Sequence, residues 1–254
     1  KKVDYGTIGV SQPGINLEKR TGRFTLDAEG TLEGEAEEIF GGHLGITRKS
    51  DSWALSLDDV NKEFREEVTK RLPNAEVSDI VWTNLENREM PLSVKYRVRV
   101  PGYAEQAGKR LVFAPSFFES GAPVVFAAAE RKFPIFFPYP WSEHDDIEIV
   151  LPEGYALDKP SAPTPVGELA GAFGAAYTLK YNSKTRTFGY MRDFSLGANG
   201  AYAFRKESYP VLKALFEQLH QSDTHSIMLK PKEASAPAAP VAAPAEKTTE
   251  AAQP

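Results

Sequence analysis

Apolar and polar residues alternate in several stretches of the chain, which is the period-2 pattern of strands with one buried face. The pattern is clearest over residues 94–100, where Val and Tyr alternate with Lys and Arg. Alternation at 24–36 and 177–194 is interrupted by the turn residues Gly, Asn and Asp, which predicts two antiparallel hairpins. Residues 147–151 predict a further strand. The chain is therefore expected to be mainly β.

Two stretches have apolar residues at spacings of three and four instead, which indicates amphipathic helices. The first covers 57–72, with Ser56 or Asp58 as the candidate capping residue, and the second covers 211–219. The pair Gly41–Gly42 is expected to break or bulge a strand.

The stretch 133–155, FPIFFPYPWSEHDDIEIVLPEGY, begins with aromatic residues spaced by prolines. Pro134, Pro138 and Pro140 exclude a helix and favour extended, edge-like backbone. Its aromatic half is predicted to lie across a sheet that its second half helps to build. Core packing and an aromatic ligand platform are both compatible with this pattern.

The predicted fold class is mainly β with two helices, arranged as two β-sandwich-like lobes with antiparallel sheets. Residues 1–20 are interpreted as a lead-in segment, and 21–115 as a first β-rich lobe with one helix. Residues 116–230 are interpreted as a second β-rich lobe with a C-terminal helix. The Ala/Pro-rich tail 231–254 has no aromatic residue and is expected to be disordered, because it cannot bury enough apolar surface.

The composition excludes several classes of function. The 254 residues carry a net charge of −5 with no basic stripe, so nucleic acid is not an expected partner. The longest apolar run, 122–129, is too short to cross a bilayer, so no transmembrane segment is expected. The chain has no cysteine, which excludes disulfides, thiolate nucleophiles and cysteine-bound zinc.

Candidate chemistry is sparse. No Gly-x-Ser-x-Gly motif marks a nucleophile for the four histidines at positions 43, 144, 220 and 225. The run Glu143–Asp146 is the best metal candidate, but successive strand residues point to opposite faces, so a solvated acidic loop is the favoured interpretation. We therefore expect no catalytic residue, no metal and no cofactor.

Four stretches carry a resemblance through their order along the chain. They are LDAEGTLEGEAEEIFGGHLGITRKS, VWTNLENREMPLSVKYRVRVPGYAEQAGKRLVFAP, RKFPIFFPYPWSEHDDIEIVLPEGY and SYPVLKALFEQLHQSDTHSIML. In this order they resemble the C-terminal β-rich region of bacterial transglutaminase-like proteins, and the resemblance covers about 20–230. That family's catalytic Cys, His and Asp lie in a separate core domain, and none can be assigned to this chain.

The resemblance implies a non-catalytic accessory β domain of an exported, periplasmic or extracellular protein. Its implied partner is an upstream transglutaminase-like domain. The alternative is a module that binds a glycan or a peptide through Trp82, Tyr139 and Trp141, since aromatic faces stack on such ligands. Exposure of these side chains distinguishes the two hypotheses.

Overall fold

The computed structural model describes residues 11–232, so the first half of the lead-in segment and nearly all of the predicted tail lie outside the described residues. Fourteen strands are described there. In chain order they are β1 (Leu17–Leu26), β2 (Leu32–Phe40), β3 (Glu76–Thr83), β4 (Leu92–Val100), β5 (Glu105–Ala107), β6 (Arg110–Phe113), β7 (Ile135–Phe136), β8 (Trp141–Val150), β9 (Tyr155–Leu157), β10 (Val166–Glu168), β11 (Phe173–Asn182), β12 (Thr187–Leu196), β13 (Ala203–Phe204) and β14 (Ile227–Pro231). The helices are α1 (Gly42–Ser52), α2 (Leu57–Arg71) and α3 (Tyr209–Asp223).

The prediction of a mainly β fold is confirmed, and so are both predicted helices. Ser56 caps α2 by accepting a hydrogen bond from the Asp59 backbone N–H at 3.2 Å. Helix α3 begins at Tyr209, with Pro210 in the first turn, where proline is tolerated.

The predicted break of the strand at Gly41–Gly42 is confirmed, because β2 ends at Phe40, but the third helix, α1, which begins at Gly42, was not predicted. Gly42 has a φ of 52°, and a Cβ there would collide with the Asn16 side chain. The chain therefore turns at this point and begins a helix. Only Gly45 and Lys49 of α1 are buried, so the helix has no apolar stripe for sequence periodicity to detect.

The largest sheet has eight strands in the order β10–β11–β12–β8–β1–β2–β4–β3. All neighbours are antiparallel except β1 and β8, which run parallel from Leu17 opposite Ser142 to Thr25 opposite Val150. Four of these strands precede residue 115 and four follow it. The two lobes predicted from the sequence therefore contribute to one sheet, and β1 begins within the predicted lead-in segment.

Other elements of the chain cover one face of this sheet and contact it through pairs of aromatic side chains. The covered face meets α2, the short helical turn Phe117–Glu119, β6 and α3. The contacts, with ring-centroid distances, are Phe64–Tyr96 (4.9 Å), Phe24–Phe117 (4.6 Å), Phe113–Phe188 (6.0 Å) and Phe173–Phe216 (5.0 Å). Strand β6 belongs to a second sheet of order β5–β6–β14–β9, and β7 pairs with β13.

The opposite face of the large sheet is polar. Glu33, Glu35 and Glu37 on β2 stand opposite Arg99, Arg97 and Lys95 on β4. These side chains are largely exposed, and their cross-strand ion pairs are long, at 3.5–3.6 Å for Lys95–Glu37 and Arg97–Glu33. Within residues 11–232, none of the helices combines the length and the apolar character needed to cross a bilayer.

Candidate functional site

A row of polar residues crosses the covered face of the large sheet. Tyr177, Arg192, Asp145, Arg20 and Glu38 stand directly opposite one another on β11, β12, β8, β1 and β2. Each occupies the inward phase of its strand, where apolar residues otherwise stand. The sheet register therefore places alternating charges side by side in the core.

Arg20 forms one half of a buried ionic cluster. Its Nε and Nη2 donate to the two Asp145 carboxylate oxygens at 2.6 and 2.9 Å, a bidentate pair. Nη2 also donates to Glu119 Oε1 at 2.5 Å. Glu119 belongs to the helical turn that covers β1, so Arg20 links the sheet to its covering layer.

Arg192 forms the other half. Its Nε and Nη2 donate to the two Asp223 oxygens at 2.7 and 3.0 Å, and its Nη1 donates to Glu143 Oε2 at 2.6 Å. The Tyr177 hydroxyl donates to Asp223 Oδ1 at 3.0 Å. Because Asp223 ends α3, Arg192 ties this helix to strands β8 and β12.

The cluster is largely buried. The Asp145 side chain is 0% exposed and that of Arg192 is 1% exposed, while Glu119 and Glu143 are the most exposed members at 18% and 17%. Isolated charges at such depth would be very costly, and here hydrogen bonds between opposite charges offset the cost.

Burial and the arginines act in opposite directions on the carboxyl pKa values. Burial alone would raise the pKa of Glu119, but Arg20 and Arg192 outweigh it and lower that pKa to about 2. Burial raises the pKa of Asp223 to about 6, against the attraction of Arg192. Both carboxyls are therefore ionised at neutral pH and can pair with the guanidinium groups.

Glu18 lies beside the cluster and, unlike Glu119, has a raised pKa. It stands opposite Glu143 on β8 and Phe40 on β2. Burial raises the pKa of Glu18 to about 7, Arg20 opposes this, and Glu38 and Glu143 add to it. At neutral pH this carboxyl is close to its midpoint of titration.

The arrangement is better suited to fixing strands than to catalysis. A general acid or base must reach the proton that it transfers. The four carboxylates of the cluster are instead hydrogen-bonded to arginines under a protein layer. Over residues 11–232, no group of three or more His, Cys, Asp or Glu side chains is arranged to hold a metal ion.

The prediction that the run Glu143–Asp146 is a solvated acidic loop is wrong. The run lies in the middle of β8, with Glu143 and Asp145 directed to the covered face. His144 and Asp146 take the opposite face, where His144 Nδ1 lies 2.6 Å from Asp193 Oδ1. The alternating side-chain directions of the strand therefore place two residues of the run on each face of the sheet, and the four polar side chains do not converge.

The three predicted binding residues lie apart. Trp82 is on the edge strand β3, four strands from β8, and its Nε1 donates to Asn61 Oδ1 at 2.9 Å. Tyr139 is half-buried and stacks on His43 at 5.0 Å. Trp141 is half-buried, and its Nε1 donates to Glu143 Oε1 at 2.9 Å. Trp141 therefore contacts the ionic cluster and not an open platform.

The exposed aromatic side chains are different ones. Phe133 is 75% exposed and Phe136 is 65% exposed, and both belong to the proline-spaced stretch. Trp53, just after α1, is 70% exposed. The sequence offered no signal that separates these three from the packed aromatics, because exposure in irregular segments does not follow a period.

The sequence did contain a signal for the ionic cluster. Arg192 falls in phase with Phe188, Tyr190 and Phe194 along β12. Asp145 likewise shares the phase of Ile147 on β8. A charged residue in the apolar phase of a strand indicates a buried charge that needs a partner.

One family model matches part of the chain. Residues 109–229 match the model of a family described as a domain of unknown function with a solved structure (DUF3858). This segment is slightly less than half of the 254 residues. No curated protein and no solved structure matches the chain.

The matched segment has a clear place in the fold. It contains strands β8, β10, β11 and β12 of the large sheet, together with α3 and the first three residues of β14. It also contains Glu119, Glu143, Asp145, Arg192 and Asp223. Arg20 lies outside the match, on the strand that joins the other half of the sheet to this segment.

Proposed function

We propose that this chain is a non-catalytic accessory β-rich region of an exported transglutaminase-like protein, with a structural or interaction role. The observation that carries the proposal is the largely buried ionic cluster. Its four carboxylates are hydrogen-bonded to Arg20 and Arg192, and these contacts connect β1, β8, β12, α3 and the covering turn. Such a cluster supports a role in holding these strands, the helix and the turn together and not a role as a reaction centre.

The non-catalytic part is tested directly with substrates of the proposed parent class. The purified chain is incubated with a primary amine donor and glutamine-containing peptides, and turnover is expected to equal that of a heat-treated control. Turnover above the control that is lost when a single polar residue is replaced would refute the proposal.

The link to a transglutaminase-like parent rests on the order of the four sequence stretches alone, since the family match describes residues 109–229 only as a domain of unknown function. It is tested by reading the gene upstream of the codon for Lys1. A transglutaminase-like core with its Cys, His and Asp is expected in the same reading frame, and the separately purified core should then bind this chain in gel filtration. An unrelated upstream sequence would contradict the proposal.

The second candidate function is a glycan- or peptide-binding module. Exposed Phe133 and Phe136 favour it, because they show that the proline-spaced stretch presents aromatic faces to solvent. The predicted residues Trp82, Tyr139 and Trp141 are only half-exposed. Binding to a glycan array or a proline-rich peptide set that is lost in Phe136→Ser, and kept in Trp82→Phe, would favour this candidate.

A further inference from the structure

A cavity separate from the ionic cluster lies at the C-terminal end of α1. Its volume is about 390 Å³, within the usual range for small-ligand sites. Its lining includes Ile46, Lys49, Trp53, Leu85, Glu86 and Arg88. The cavity therefore combines apolar side chains with two cations and one acid.

Lys49 is the unusual member of this lining. It is 7% exposed, yet its Nζ makes no ion pair with any described carboxylate. Nζ donates to the backbone oxygens of Asn87 and Met90, each at 2.5 Å. An ammonium group has three N–H donors, so one donor remains after these two. Burial lowers the pKa of Lys49, as expected for a cation without a nearby anion.

Arg88 and Trp53 form the outer part of the cavity. The Arg88 guanidinium carbon lies 4.4 Å from the Trp53 ring centroid, a cation–π contact. Trp53 is nevertheless 70% exposed and Ile46 is 53% exposed, so both keep free apolar surface at the opening. Glu86 is exposed and lies outside ion-pair distance of Lys49, so it does not neutralise the buried cation.

We propose that this cavity binds a carboxylate attached to an apolar group. The carboxylate would pair with Lys49 and Arg88, and the apolar group would pack on Trp53 and Ile46. Charge complementarity selects this ligand class, because the buried cation has no anion of its own and the opening is apolar. Two sources share this chemistry, namely a free arylalkyl carboxylic acid and the C-terminal residue of a peptide.

The test is a titration of the full chain monitored by tryptophan fluorescence and by NMR of the ligand signals, and the second readout also serves the variant that lacks Trp53. The probes are 3-phenylpropionate and the peptide acetyl-Gly-Gly-Phe, each compared with its neutral amide. Saturable binding of at least one acid is expected, with the matching amide weaker by roughly tenfold or more, since hydrogen bonds to charged groups are the stronger ones. Binding of only one acid identifies the source.

Variants separate binding from folding. Trp53→Ala and Arg88→Gln alter exposed side chains and should each weaken the acid roughly tenfold while keeping the urea midpoint. Arg97→Gln, on the open sheet face, is the matched control and should bind as the unaltered chain does. Lys49→Met should abolish binding if it folds. Equal affinity for acid and amide, unchanged affinity in Trp53→Ala and Arg88→Gln, or absence of saturable binding would each overturn the proposal.

Discussion

Replacing Arg192 by Met is the most informative perturbation of this fold. Met keeps much of the volume of the side chain but removes all five N–H donors and the charge. The change leaves Asp223 and Glu143 without the three hydrogen bonds of 2.6–3.0 Å that they now accept from Arg192. Both carboxylates stay under the covering layer.

The expected loss of stability is large. Removing one partner of a buried ion pair typically costs about 3–5 kcal/mol, because the remaining charge is buried and uncompensated. The whole stability of a typical domain is roughly 5–15 kcal/mol. Arg192→Met should therefore lower the urea midpoint strongly, or leave the chain unfolded at 37 °C.

Urea denaturation at pH 7, followed by tryptophan fluorescence, measures this loss. The matched control is Arg97→Met on the open face, where the Arg97 side chain is 52% exposed and 3.6 Å from Glu33. Exposed pairs contribute about 0–1 kcal/mol, so the control should remain near the unaltered chain. Equal midpoints for the two variants would refute the structural role of the cluster.

A second substitution separates the stability lost with the hydrogen bonds from the stability lost because a buried charge has no partner. Adding Asp223→Asn to Arg192→Met removes one of the unpaired buried charges, because Asn is neutral. Asn also has nearly the same shape as Asp, so the packing is kept. The double variant should be more stable than the sum of the two single losses predicts. Strict additivity would mean that Arg192 and Asp223 do not stabilise each other.

Three further predictions concern other parts of the sheet. The pKa of Glu18 is raised from 4.5 to about 7 in the folded chain, so its stabilising contribution is complete below pH 4.5 and is lost as the pH rises through 7. Between pH 4.5 and 8 this group should lower the free energy of unfolding, measured by urea denaturation, by up to about 3 kcal/mol, and Glu18→Gln should remove that part of the fall. A Cβ at Gly34 would collide with the Arg23 backbone oxygen, so Gly34→Ala should lower the thermal midpoint well below that of Gly14→Ala, whose Cβ meets open space. Trp82→Phe should cost about 1 kcal/mol in urea through its lost hydrogen bond, and no measurable loss would contradict that role.

The sequence predicted those elements whose apolar pattern has a clear period. Helix α2 buries Val60, Phe64 and Val68 along one stripe, and its boundaries follow from Ser56 and the end of that stripe. The long strands of the large sheet likewise alternate between buried and exposed residues. These patterns depend on one element and the core, so they can be detected without knowledge of the neighbouring element.

The elements that were missed depend on distant parts of the chain. Helix α1 has no apolar stripe, and its start is fixed by the contact of Gly42 with Asn16. The parallel pairing of β1 with β8 joins residues more than a hundred positions apart. Alternation indicates which face of a strand is buried, but it carries no information about the strand beside it.

The ionic cluster supplies the information that alternation lacks. A slip of two residues between β1 and β8 would keep every side chain on its correct face, so apolar burial alone discriminates poorly against it. That slip would place Arg20 opposite Glu143 or Ile147 in place of Asp145. In the second case Arg20 and Asp145 would both be buried without their bidentate pair, at a cost of several kcal/mol. The charges that interrupt the apolar phase of β1 and β8 therefore favour the observed register over this slip, which the hydrophobic pattern alone permits.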